Sequence, residues 1–125
     1  MTRINLIPVR ELSDQHLIAE YRELPRCLKQ DIDVSNAPDI YCLGKGHMKW
    51  ARKHDAFLLK RYKKIISEMR KRGFKTNYDS ESLKTYVKYN RDYKPTKKDV
   101  EVSRKRINEK LEMKPDFYKW SYADD

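Results

Sequence analysis

A single all-α domain is the fold class that the sequence predicts, and three observations predict it. Apolar residues recur at helical spacing in three separate stretches. Each stretch has an end signal: Ser13 before the first, Gly73 after the second, Thr96 and Asp99 at the start of the third. No run alternates apolar and polar residues as a half-buried strand would. No repeat, linker or low-complexity tract divides residues 1–125, so one compact domain of three main helices is expected.

The first helix follows Ser13, a suitable N-cap, with Asp14 in the electropositive first turn. Leu17, Ile18, Tyr21 and Leu24 form its buried stripe. His16, Glu20 and Glu23 align on another face at i, i+4, i+7, and Arg22 and Arg26 flank Glu23. Pro25 is expected to end or kink the regular helix near Leu24, with a short helical extension through Lys29. Ahead of this helix stands Thr2. Thr is small, so loss of Met1 after synthesis is expected, leaving Thr2 with the free α-amine. Such an amine has a pKa of about 7.7–8.0, against about 10.4 for lysine, so near neutral pH part of it is an uncharged nucleophile.

Residues 27–42 lack a sustained period, and Ser35, Asn36 and Pro38 read as a surface loop. In Leu43-Gly44-Lys45-Gly46-His47 the two glycines permit positive φ or close approach to a ligand, and Lys45 suits a passing phosphate. The second helix is expected over much of 48–72. Its stripe is Phe57 or Leu58, Tyr62, Ile65, Ile66 and Met69, and its other faces are covered by Lys60, Arg61, Lys63, Lys64, Arg70, Lys71 and Arg72. Residues 75–95 are polar and tyrosine-rich. Ser80 or Ser82 is placed to cap a short helix through Lys88, and Tyr86, Tyr89 and Tyr93 suit packing of a thin core better than stacking on bases. The third main helix opens on the Thr96–Asp99 capping box and turns Val100, Ser103, Ile107 and Leu111 inward, with Arg106 and Lys110 on a neighbouring face. Pro115 ends it, before an aromatic tail of Phe117, Tyr118, Lys119 and Trp120.

Charge narrows the partner. Lys and Arg number 29 against 19 Asp and Glu, a net charge of +10, while hydrophobic and charged residues each make up 38%. The core is therefore thin and the surface ionic, and a polyanion, nucleic acid first, is the expected partner. A membrane is not expected: no apolar run approaches a span, and no helix joins a purely basic face to a strongly apolar one. Cys27 and Cys42 form no CxxC pair, and His16, His47 and His54 are dispersed. No metal site and no cofactor are expected, only free thiols in a soluble, intracellular protein.

The runs Thr2-Arg3-Ile4-Asn5-Leu6, Asp14-Gln15-His16-Leu17 and Ala19-Glu20-Tyr21-Arg22-Glu23-Leu24-Pro25-Arg26 resemble the phage pyrimidine-dimer DNA glycosylases, the phage endonuclease V family. The turn at Leu43–His47, the stretch from Leu58 to Phe74 and Arg106-x-x-Glu109-Lys110 follow the same pattern. The resemblance implies an all-α fold in which the N-terminal segment threads between the helices. It implies excision of ultraviolet-induced pyrimidine dimers from duplex DNA, followed by strand cleavage, by a monomer without metal or cofactor. It implies Thr2 and Glu23 as catalytic residues. As DNA-binding residues it implies Arg3, His16, Arg22, Arg26, Lys45, Gly46, His47, Arg106, Lys110, Tyr118, Lys119 and Trp120.

The chain departs from the family pattern in two places. The segment 27–42 is shorter and less basic, so any DNA contacts made there are not carried over. In the tail, Phe117 replaces a Trp and Trp120 a Tyr, and the acids Asp124 and Asp125 oppose phosphate contact; core packing of Phe117 is as good an expectation as lesion contact. Two alternatives stand beside this reading: a non-enzymatic basic helical protein that binds DNA or RNA, and a lyase acting mainly on abasic sites or other base lesions.

Overall fold

The structure, a computed structural model, describes residues 4–122. Thr2 and Arg3, and with them the expected nucleophile, lie outside the described residues, as do Asp124 and Asp125. The described residues are helical, without strands: α1 (Asp14–Lys29), α2 (His47–Lys53), α3 (Asp55–Lys71) and α4 (Lys97–Met113), with 3-10 turns at Val9–Glu11 and Ser82–Tyr86. The three main helices expected from the sequence are α1, α3 and α4.

The local signals at their ends act as chemistry dictates. Ser13 accepts the His16 amide at 3.1 Å and caps α1. At α4, Thr96 Oγ1 accepts from the Asp99 amide at 3.1 Å, and Asp99 accepts from the Thr96 amide at 3.0 Å. α3 closes in a Schellman motif: Phe74 N–H bonds the Met69 carbonyl, Gly73 N–H bonds the Arg70 carbonyl, and Gly73 takes φ 87°.

α1 runs through Pro25 and ends at Lys29, where the expected extension ends, rather than stopping at Leu24. Proline removes one helical donor, but Leu24, Pro25, Cys27 and Leu28 are all buried, so ending the helix would expose that stripe. The expected single helix over 48–72 is two, parted at His54 (φ −96°, ψ 52°). The break lets the buried Asp55 carboxylate receive the Lys88 and Tyr89 amides at 2.7 and 3.0 Å, and Arg52 at 3.3 Å. The short helix expected through Lys88 is instead the five-residue 3-10 turn Ser82–Tyr86, which buries only Leu83.

α1 packs chiefly on α3 around Leu17, Leu24, Leu28, Leu58, Tyr62 and Ile65, all fully buried. Trp50 of α2 fills the far end of the core, edge-on to Tyr41 and Tyr93. Tyr93 thus packs the core as expected, whereas Tyr86 and Tyr89 are exposed and lie beneath Lys29 and Arg52. Phe117 is exposed, so of the two expectations held for it, core packing is set aside. Cys27 and Cys42 are free thiols.

Candidate nucleic-acid interface and catalytic edge

Residues 4–7 lie outside the helices and are bonded to each of the four. The Ile4 amide donates to His47 Nε2 of α2 at 2.9 Å. Asn5 Nδ2 donates to Glu20 Oε1 of α1 at 2.9 Å. The Leu6 amide donates to Ser103 Oγ of α4 at 2.9 Å, and Arg61 Nη1 of α3 donates to the Ile7 carbonyl at 3.0 Å. The Tyr41 hydroxyl adds a bond of 2.7 Å to the Ile4 carbonyl. A buried segment outside the helices has no ladder of its own, and side chains satisfy both backbone groups of Ile4, the Leu6 amide and the Ile7 carbonyl.

Asn5 therefore lies against one edge of α1. Glu20, its partner, is one turn from His16 and one turn from Glu23, so these three residues share that edge. Glu20 is buried and its charge is matched by Arg61. Glu23 is half-exposed beside it. Burial, with Glu20 and Glu23 nearby, pushes the Cys27 thiol up to about 12, so Cys27 is no nucleophile at neutral pH.

His16 is half-buried. Its Nδ1 bonds Ser13 Oγ at 2.9 Å, and the Tyr118 ring stacks on it with centroids 4.7 Å apart. Burial, and then the positive charge of Arg106 and Lys110 against the opposing Glu20, holds its pKa below the ordinary value. His16, Arg106, Lys110 and Tyr118 are thus brought together, from α1, α4 and the tail.

The tail reaches this place by a chain of bonds to the start of α1. Asp14 N–H donates to the Lys119 carbonyl at 2.7 Å, and the Asp14 carboxylate accepts from the Ser121 amide at 3.0 Å, from the Ser121 hydroxyl and from Arg72 at 3.1 Å. Gln15 brackets Phe117 and Lys119, and Trp120 Nε1 donates to the Glu11 carbonyl at 3.0 Å. Trp120 and Lys119 stay exposed.

Arg22 and Arg26 are exposed and line a groove of about 570 Å³ with Tyr21, Lys29, Lys75 and Tyr78. Lys45 is exposed on the Gly44–Gly46 turn. Gly46 begins α2 at φ 94°, and a side chain there would also press on Pro38 Cγ at 3.2 Å. This is a backbone reason for the glycine that needs no ligand. His47 sits differently from the expectation of a DNA contact. It is fully buried, and its ring serves the backbone of Ile4 and Cys42.

Sequence reading missed Glu20, Arg61, Asn5, Tyr41 and Ser103 as parts of the site. One signal was available for Arg61. It stands three after Leu58 and four before Ile65, inside the apolar stripe of α3, where a solvated cation does not belong. Among the described residues no helix is long and apolar enough to cross a membrane. The family model described as pyrimidine dimer DNA glycosylase matches residues 1–82, a stretch that includes α1, the Gly44–Gly46 turn, α2 and α3.

Proposed function

The chain belongs to the pyrimidine dimer DNA glycosylase family, and on that premise we propose that it excises pyrimidine dimers from duplex DNA and then cleaves the strand, using the Thr2 amine as nucleophile. The observation that supports this most is the bond from Asn5 to Glu20. It ties the N-terminal segment to the edge of α1 that also carries His16 and Glu23. Thr2 precedes Ile4 by two residues, at most about 7 Å of extended chain, so covalent connectivity tethers the amine near that edge.

In the proposed reaction the neutral amine attacks C1′ of the damaged nucleotide. The N–C1′ bond forms as the C1′–base bond breaks, and the base leaves with the electron pair and takes up a proton. Positive charge develops on the sugar, and the Glu23 carboxylate is suited to stabilise it. The amine gives up a proton, and the C1′–O4′ bond breaks with its electron pair passing to O4′, which takes up a proton, leaving an iminium between Thr2 and C1′. Removal of a C2′ proton, a role suited to Glu23, forms the C2′=C3′ double bond and expels the 3′ phosphate with the C3′–O electrons. Water then hydrolyses the iminium and frees the enzyme. No step calls for a metal or a cofactor.

Arg22, Arg26 and Lys45, on the exposed surface, supply phosphate contacts in this reading, and Arg106, Lys110 and the Tyr118–Trp120 tail extend the contact surface beside His16. Arg3 is assigned the same work by the resemblance. The protein acts as a monomer on DNA inside the cell. Borohydride added during incubation with dimer-bearing duplex tests the reading. A reduced covalent adduct on Thr2 is expected, and its absence, with the base still excised, points to a different nucleophile.

A further inference from the structure

Ile4 is held at both of its backbone polar groups by buried rings. His47, fully buried, accepts its N–H at 2.9 Å, and Tyr41, 7% exposed, donates to its carbonyl at 2.7 Å. The partners assign the histidine tautomer. The Cys42 carbonyl, 2.7 Å from Nδ1, can only accept, so Nδ1 carries the proton and Nε2 is free to accept from Ile4. Burial pushes the Tyr41 hydroxyl up to about 12, which keeps it a donor at neutral pH. The two rings meet edge to face with centroids 5.6 Å apart, and both pack against Trp50. Gly46, at φ 94° and with Pro38 where a side chain would stand, sets the start of the helix that carries His47.

We propose that His47 and Tyr41 are positioning residues for the N-terminal nucleophile, acting through Ile4 rather than through DNA. This rests on the Thr2-amine reading given above. Play at Ile4 passes along two residues to the amine, and a misplacement of about 1 Å costs roughly a hundredfold in rate. Both residues are buried, so neither is placed to contribute to DNA affinity directly. The Leu43–His47 turn then has two tasks: Lys45 faces outward for phosphate, and His47 faces inward to set the reach of the chain.

The test compares Tyr41→Phe, His47→Leu and His47→Gln with the wild type. Tyr41→Phe removes one hydroxyl, His47→Leu removes both ring bonds, and the Gln amide still offers one acceptor and one donor. Hydrogen exchange at the Ile4 amide reads the clamp itself, single-turnover excision reads the chemistry, and anisotropy on dimer-bearing duplex reads affinity. Tyr41→Phe and His47→Leu are expected to slow single-turnover excision by about 10- to 100-fold, with affinity within about twofold. Ile4 exchange should quicken in His47→Leu, and His47→Gln should recover part of the rate. Wild-type excision rates in Tyr41→Phe overturn the proposal, even if His47→Leu does not fold. So does a loss that follows the melting temperature alone, with Gln no better than Leu. Failure of the wild type to form a borohydride adduct overturns the parent reading and this proposal together. An adduct at full rate in every variant sinks the positioning role alone.

Discussion

Arg61 of α3 closes a fork on Glu20 of α1, its Nη2 3.1 Å from Oε1 and its Nε on Oε2, with both side chains inside the protein. The same guanidinium holds the Ile7 carbonyl, and the same carboxylate holds Asn5. Removing one member strands the other. Arg61→Leu is therefore expected to destabilise the fold by about 3–5 kcal/mol, because Glu20 is left as an uncompensated buried charge. Urea denaturation of the single variant and of Arg61→Leu with Glu20→Leu checks this. The double variant should recover much of the loss, and additive losses would show that the two residues are not coupled.

Arg61 and Glu20 stand 41 residues apart, so no local pattern pairs them. Ser13, the Thr96–Asp99 box and Gly73 were legible because a cap is made by residues three to five apart. The break at His54 depends on amides of Lys88 and Tyr89, far along the chain, and nothing in residues 48–58 announces it. Arg61 and Arg72 looked like parts of a solvated cationic run. Glu20, the partner of Arg61, and Asp14, one of the two partners of Arg72, lie on another helix; the second, Glu68, stands four before Arg72 at the end of α3, but a charge pattern alone does not tell a buried ion pair from an exposed one. The candidate edge was half legible. His16 and Glu23 align by helical spacing, but the stacking of Tyr118 on His16 spans the length of the chain.

The clamp on the tail should be acid-labile. Burial of the Asp14 carboxyl opposes ionisation, but hydrogen bonds from Ser121 and Arg72, with the Arg72 charge, outweigh it and hold the pKa below the ordinary carboxylate value. A depressed native pKa means that the unfolded chain binds the proton more readily. The contribution of Asp14 is therefore fully present above the unfolded value of about 3.9 and is lost as pH falls through the lower native value. Wild type should be more stable than Asp14→Asn at pH 6, and the gap should close below about pH 4. A gap that stays constant across that range would separate Asp14 from the acid response.

Glu23→Gln keeps the helix and the surrounding cations while removing one charge. Affinity for dimer-bearing duplex should be near normal and base excision should fall by about 10²–10³, the scale seen when one electrostatic contributor is deleted. Single-turnover assays with purified variant decide it, and an unchanged rate would reduce Glu23 to a surface acid.

Binding to undamaged duplex should be strongly salt-dependent. If ~5 phosphates are contacted, a fourfold rise in salt weakens binding by ~10²·⁷, from a slope of about −0.9 per contact. Arg22→Ala and Arg26→Ala each remove an exposed guanidinium suited to phosphate, and each is expected to flatten that slope by about 0.9 while leaving melting unchanged. Anisotropy titrations across a salt series measure both quantities. A flat profile in the wild type would remove the basis for a cationic DNA track.

The last prediction concerns the residue ahead of the nucleophile. With Met1 attached, the Thr2 nitrogen is an amide whose lone pair is delocalised into the peptide bond, so it cannot form the iminium. A terminal amine would still exist on Met1, but one residue further from Ile4, a displacement of up to about 3.8 Å between successive Cα atoms. Ile4 is gripped at both backbone groups and Asn5 at its side chain, so the chain downstream has little freedom to slide and correct the register. Misplacement of about 1 Å already costs roughly a hundredfold, so retention of Met1 should abolish efficient excision. DNA affinity should survive, because the exposed cations of α1 and the tail are untouched. Mass spectrometry of active preparations should find Thr2 at the N-terminus, and the borohydride adduct should map to it. Full activity from a chain with an intact, acetylated Met1 would exclude the α-amine and leave a basic helical DNA-binding protein as the better reading.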